Sequence, residues 1–173
     1  MRRVAAIVLS MCIALAIAGC GFHFPTSLNR LPSSLSTLHV MVAGSPLRDP
    51  PLLKAMRSAL DAAGGHVGPG IGMPLLTVEN EYFVPQVLVV DPSGRVSAYL
   101  LDYALSFQLQ DAAGKVVIPM RTVRLQREYT FSPVNVLGEA RQQRYLKRRM
   151  REEAIRKILF QLSVFHPGTG KVP

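Results

Sequence analysis

Ala98-Tyr99-Leu100-Leu101-Asp102-Tyr103-Ala104-Leu105-Ser106-Phe107-Gln108-Leu109-Gln110 carries the clearest period in the chain. Tyr99, Leu101, Tyr103, Leu105, Phe107 and Leu109 fall on one side of a two-residue repeat, and Ala98, Asp102, Ala104, Ser106, Gln108 and Gln110 fall on the other. Successive side chains of a strand point to opposite faces, so the pattern predicts a strand with one face on a core and one polar face. Turn signals bracket it: Asp91-Pro92-Ser93-Gly94 before and Asp111-Ala112-Ala113-Gly114-Lys115 after. Leu75 to Val90 and Val116 to Phe131 therefore read as its hairpin partners. Pro85 predicts a bulge or break in the first partner, and Pro119 disturbs clean pairing in the second.

Further out, Leu38, Val40 and Val42 alternate with His39 and Met41, a short strand ending at Gly44. Asp49-Pro50-Pro51 is a helix-start signal: an acceptor for the cap, then prolines whose missing N–H groups have no partner in a first turn anyway. Leu52, Leu53, Met56, Leu60 and Ala63 follow at helical spacing, and Gly64-Gly65 ends the helix. The stretch 64–74, with five glycines and two prolines, reads as a flexible loop. A last helix of about 25 residues begins near Asn135, with an apolar stripe of Leu137, Ala140, Leu146, Met150, Ala154, Ile158 and Leu162, joined by Ile155 and Leu159. On its other faces lie Arg141, Arg144, Lys147, Arg148, Arg149, Arg151, Arg156 and Lys157. The expected fold is α+β in the order β-α-β-β-β-α, two helices packed on one face of a largely antiparallel or mixed sheet of about four strands. Residues 37–165 form this domain and 166–173 a flexible tail. No internal repeat is found.

Composition fits one domain of ordinary size: 173 residues, 49% apolar and 18% charged, with Lys+Arg 20 against Asp+Glu 11 and a formal charge of +9. A multidomain machine and a disordered chain are both excluded. The charge points to anionic partners. Arg2 and Arg3 precede an uncharged run from Val4 to Ala18, the layout of an export signal. Fifteen residues are short of the roughly 20 that a spanning helix needs. Ile17-Ala18-Gly19-Cys20 resembles the bacterial lipobox, in which cleavage exposes a cysteine that receives the lipid; an ordinary signal or a short anchor with an incidental cysteine is the alternative. On the lipobox reading residues 1–19 are removed, Cys20 is the site of lipid attachment, and 20–36, rich in Pro, Ser and Thr, is a tether. Loss of Arg2 and Arg3 lowers the charge from +9 to +7. Cys12 leaves with the signal, so no disulfide, free thiolate or cysteine metal ligand is expected. Several acyl chains on one residue anchor stably where one chain binds only marginally. Gly21 stands where lipoproteins kept at the inner membrane often carry aspartate, and by that resemblance this chain goes on to the outer membrane.

Catalytic constellations are not found. The glycines at 64, 65, 68, 70 and 72 lack a following Gly-Lys-Ser/Thr, and a loop is the better reading. His23, His39, His66 and His166 are scattered, with no pair at ligand spacing and no metal expected. Glu79 and Glu81 read as two carboxylates on one strand face, more a solvated edge than an acid/base pair. No Gly-x-Ser-x-Gly elbow occurs. The chain is therefore expected to be no enzyme and to hold no cofactor. The cations between Arg141 and Lys157 are interrupted by Glu139, Glu152 and Glu153 and lack an aromatic ladder, so most read as a solvated face, with no nucleic acid as partner.

The residues resemble a known family, the lipopolysaccharide-assembly lipoprotein LptE (RlpB) family. Cys20-Gly21-Phe22-His23-Phe24 is similar to that family's opening, although Phe24-Pro25 stands where a basic residue and glycine are commoner. Tyr99-Leu100-Leu101-Asp102-Tyr103, Arg127-Glu128-Tyr129-Thr130-Phe131, Val136-Leu137 and the Met150-centred stripe continue the likeness. The resemblance implies a palmitate-bearing outer-membrane lipoprotein with a signal peptide, facing the periplasm and a barrel lumen. There it would plug and help assemble an LptD-like β-barrel, and together they insert lipopolysaccharide into the outer leaflet. The family's lipopolysaccharide contacts lie near the second β-turn and the start of the last helix. Pro92 and Glu139 occupy the equivalent places here, so the region carries over, and Arg95, Arg141 and Arg144 close by are the candidates for lipopolysaccharide binding. A stand-alone periplasm-facing lipoprotein that binds an anionic glycolipid or acidic partner is the alternative.

Overall fold

The computed structural model describes residues 30–44, 50–130 and 136–165. Among them are five strands and two helices: β1 Thr37–Val42, α1 Pro51–Ala62, β2 His66–Val67, β3 Leu75–Val90, β4 Val96–Gln110, β5 Val116–Thr130 and α2 Val136–Ser163. The α+β class and the order of the long elements are as expected, with one short strand added. The sheet order is β2-β1-β3-β4-β5, with β1 parallel to β2 and β3 and the other pairs antiparallel. The signal, Cys20, Phe22 to Asn29, His23, Asp49, His166 and the tail lie outside the described residues.

The added strand comes from the glycine-rich stretch that the sequence assigns to a loop. At the end of α1 the Gly65 N–H donates to the Leu60 carbonyl at 2.9 Å and the Gly64 N–H to that of Asp61 at 3.1 Å. Gly64 has φ +77, a left-handed conformation that glycine adopts without a Cβ penalty. These bonds close the last turn of the helix and reverse the chain, so that His66 emerges beside Thr37 of β1. At the other end of α1, Pro50 takes the cap position without a side-chain bond.

Leu101, Tyr103, Leu105, Phe107 and Leu109 of β4 are all 0% exposed, as the alternation predicts. Over them pack Leu146, Met150, Ala154, Ile155, Ile158, Leu159 and Leu162 of α2, and Leu52, Met56 and Leu60 of α1 complete the layer. Each fully buried aliphatic side chain contributes about 1.5–3 kcal/mol. Ala140, assigned to the stripe by spacing, is exposed. Leu31 and Leu35 are buried, so the last part of the segment read as a tether is folded onto the core, and the Leu31 N–H reaches the Ala63 carbonyl at 3.5 Å.

The irregularities of β3 fall elsewhere than expected. Pro85 stays in register opposite Leu101, while register shifts occur between Glu79 and Tyr82 and between Val87 and Val90. Beyond Val78, β3 has β4 on one side and β1 no longer on the other, and an edge accommodates a residue without an N–H. At the first shift Asn80 has φ +56 and adds one residue to the strand. Strand side chains alternate, so one added residue exchanges the faces of everything after it. Glu79 stands opposite Ser106 on the open face, and Glu81 meets Tyr103 on the helix side; the two carboxylates do not share a face. In β5 one extra residue lies between Ile118 and Arg121, next to Pro119 as expected, and a second between Val116 and Ile118.

Candidate functional surface

The end of the β3–β4 hairpin is exposed. Val87, Leu88, Val89 and Val90 are 57%, 43%, 47% and 55% exposed, an uncharged apolar run on a strand edge that no described strand covers. At its tip the Asp91 carboxylate organises the turn. Oδ1 accepts from the Ser93 N–H at 2.8 Å and the Arg95 N–H at 3.0 Å, and Oδ2 accepts from Arg95 Nε at 3.1 Å. The Arg95 backbone bond foremost, then those of Ser93 and the Arg95 side chain, hold the Asp91 carboxyl below its ordinary value against a smaller opposing effect of desolvation. Asp111 builds the same turn at the other end of β4, accepting from the Ala113 and Lys115 N–H groups, both at 2.9 Å.

Helix α2 crosses the sheet with its N-terminal half toward that hairpin end. Glu81 and then Phe83 of β3 meet Arg151 and then Lys147 of α2, so strand and helix run in opposite directions. Lys147 Nζ lies 5.5 Å from the centre of the Phe83 ring, a cation–π contact. Helical rise carries Arg144 and Arg141 about 5 and 9 Å beyond Lys147 along the axis. Both are exposed.

The cations of α2 divide into two sets. Arg151 is only 14% exposed and donates from Nε to Glu81 Oε1 at 2.6 Å. Tyr103 Oη donates to the same oxygen at 2.9 Å. Burial foremost, and then the Glu81 charge, push the Tyr103 phenol well above its ordinary value. Desolvation acts on Arg151 in the other direction, yet the bond and charge of Glu81 leave its pKa raised. Glu153 pairs with Arg127 of β5 at 3.0 Å, and Glu152 with Arg149 at 3.4 Å. Arg148 lies over the Tyr145 ring.

Of the residues named from sequence, Arg95 sits at the hairpin tip in a bond to Asp91, and Arg141 and Arg144 are exposed on the near half of α2. They face the same end of the molecule without forming one pocket. Cys20 lies outside the described residues. The Glu81, Arg151 and Tyr103 cluster escaped the sequence reading, which put Arg151 on a solvated face. Its signal was present: Arg151 precedes Ala154 by three residues and Ile158 by seven, which places a cation on the apolar stripe. His39 Nδ1–H donates to the Gly68 carbonyl at 3.1 Å, and His66 approaches Asp61 at 3.4 Å in solvent. Among the described residues no three of His, Cys, Asp and Glu gather to hold a metal ion, and no helix is long and apolar enough to cross a membrane.

The architecture is one found in bacterial lipoproteins. The structure is similar to that of an uncharacterised lipoprotein B from Nitrosomonas europaea, at 20% identity and a TM-score of 0.69, covering 84% of this chain and 92% of that one. The rare lipoprotein B of Shewanella oneidensis aligns at 20% identity and 0.61, over 71% and 90%. The minor lipoprotein of Acinetobacter baumannii aligns at 23% and 0.61, over 75% and 91%. No curated relative matches in sequence. The LptE lipopolysaccharide-assembly family matches residues 35–162, and the chain belongs to it.

Proposed function

We propose that this protein is a non-enzymatic outer-membrane lipoprotein, acylated at Cys20 after removal of residues 1–19. It plugs and helps assemble an LptD-like β-barrel, and the two insert lipopolysaccharide into the outer leaflet. The observation that carries this reading is the sheet face opposite the helices. Asp102, Ser106, Gln108 and Gln110 of β4 and Thr122, Arg124, Gln126 and Glu128 of β5 make its β4–β5 part largely polar, with Leu100 and Ala104 among them and Tyr82 and Val84 beside them on β3, and the Ser106 and Thr122 hydroxyls share a hydrogen bond at 2.9 Å. A barrel lumen is polar, so a plug needs an outer surface that forms hydrogen bonds. Arg95, Arg141 and Arg144 supply positive charge toward one end, complementary to the phosphates of lipid A.

The test is purification of the chain carrying Cys20→Ala, with its own export signal, from detergent-solubilised outer membrane. Co-purification with a large β-barrel is expected, because anchor and plug surfaces are separate. Recovery only as a free monomer, with barrel present, overturns the reading and leaves a stand-alone glycolipid-binding lipoprotein. Charge reversal at Arg95 or Arg141 is expected to weaken lipopolysaccharide binding, most strongly at low salt, with the fold intact. Unchanged affinity returns both to the ordinary surface.

A further inference from the structure

A groove of about 470 Å³ runs between α1 and α2. Ala55, Ala59 and Ala63 form one wall, a column of small side chains at helical spacing, Ile155 and Leu159 of α2 form its floor, and Glu152 and Arg156 of α2 also line it. Alanine is too short to close the space between two helices, so the groove stays open over an apolar base. Ala63, at its mouth, is also the residue whose carbonyl receives the Leu31 N–H. Leu31 thus joins the fold at the end of the groove. The stretch before Arg30, Cys20-Gly21-Phe22-His23-Phe24-Pro25-Thr26-Ser27-Leu28-Asn29, carries Phe22, Phe24 and Leu28 and no Asp, Glu, Lys or Arg.

We propose that the groove is the docking site of this amino-terminal segment, with Phe24 seated between the helices and Leu28 nearer the mouth. The lengths agree. From Ala63 to Ala55 the helix rises about 12 Å. Six residues from Arg30 back to Phe24 span at most about 20 Å. The volume lies in the range that takes a small organic molecule, ample for an aromatic side chain. A segment joined to the groove by so short a connection is present at an effective millimolar concentration, which a free apolar ligand in the same compartment does not reach. Docking itself does not depend on acylation. Its consequence does, and so rests on the reading given above. A free ten-residue tether lets the domain stand up to roughly 35 Å from its lipid. A docked one holds Cys20 a few residues from the groove, and the α1–α2 side of the domain then faces the bilayer.

The experiment incorporates the photoreactive residue benzoylphenylalanine at Phe24 of the full chain, made with its own leader and kept in the membrane. Irradiation is expected to give an intramolecular product mapping to the peptides of Ala59 or Ile155, and Ala59→Phe, which fills the groove, is expected to abolish it. Products mapping to the open sheet face, to a second copy or to another protein, or no product at all, overturn the proposal. A second measurement does not touch the core. Phe22→Ser combined with Phe24→Ser is expected to speed trypsin cleavage after Arg30 by about tenfold, through easier local opening. An unchanged rate overturns docking. The mass of the amino-terminal peptide, read in the same samples, reports acylation separately, so docking and anchoring fail independently.

Discussion

Arg151 of α2 and Glu81 of β3 meet at 2.6 Å between Nε and Oε1, with side chains only 14% and 21% exposed. Tyr103 of the central strand donates to the same carboxylate oxygen. Two cross-links, one from the helix and one from β4, thus end on one atom of the strand that leads to the hairpin end.

Breaking this pair from one side strands a charge in partly buried surroundings. Arg151→Met is expected to cost about 3 kcal/mol, the lower end for a buried pair since both groups keep some solvent. Adding Glu81→Leu should return part of that loss, because an apolar pair removes both desolvation costs but leaves the Tyr103 hydroxyl without its acceptor. Urea unfolding of the two single variants and the double variant checks it; losses that simply add would show that the pair is not coupled.

Tyr103 sets an alkaline limit. Its phenol titrates above the ordinary 10.0 in the folded chain. Below pH 10 both folded and unfolded states keep the proton, and the contribution to stability is complete. Above it the unfolded chain ionises first and the contribution falls away. Stability should therefore decline with pH above about 10, and Tyr103→Phe should flatten that decline. An equal slope in both proteins, read from melting curves, would assign the decline to other groups.

Asp91 behaves in the opposite sense. Its folded pKa is below the ordinary 3.8, so its support of the turn is present above that value and disappears as pH falls beneath it. Protection of the Ser93 and Arg95 amides from hydrogen exchange is expected to drop on acidification through this range, and Asp91→Ala should show the lower protection already at neutral pH. Equal protection in both proteins would mean that the backbone bond between Asp91 and Arg95 holds the turn alone.

Asn80 is the residue on which the phase of β3 depends. At φ +56 a side chain with a Cβ is strained, and asparagine tolerates the position better than most. Asn80→Ala should cost about 1 kcal/mol, whereas Asn80→Gly should be close to neutral. A larger loss for glycine than for alanine in thermal unfolding would contradict the left-handed geometry.

The long elements are legible in the chain because their periods are local: β4 alternates without interruption, and α2 repeats its stripe over several turns. What escapes depends on a single residue. Nothing in the composition around Glu79 says that Asn80 inserts a bulge, and without the bulge Glu81 belongs on the open face with Glu79. The pairing with Arg151 joins positions 70 residues apart, so no local window contains both partners. His66–Val67 is too short to show a period and exists as a strand because the helix end aims it at β1. For the surface, the sequence shows the turn and the run of cations, whereas the division of those cations into paired and exposed required the sheet.

The two long edges of the sheet are guarded unequally. β5 carries Pro119, Arg121, Arg124 and Arg127 along its length, and proline and charge discourage a foreign strand from adding there. From Pro85 to Val90, β3 has one proline at its start and then no charge. Purified without a partner, the chain offers this stretch as a template on which further copies can stack, and net positive charge elsewhere gives it little protection. A binding partner that covers these hairpin residues would remove that template.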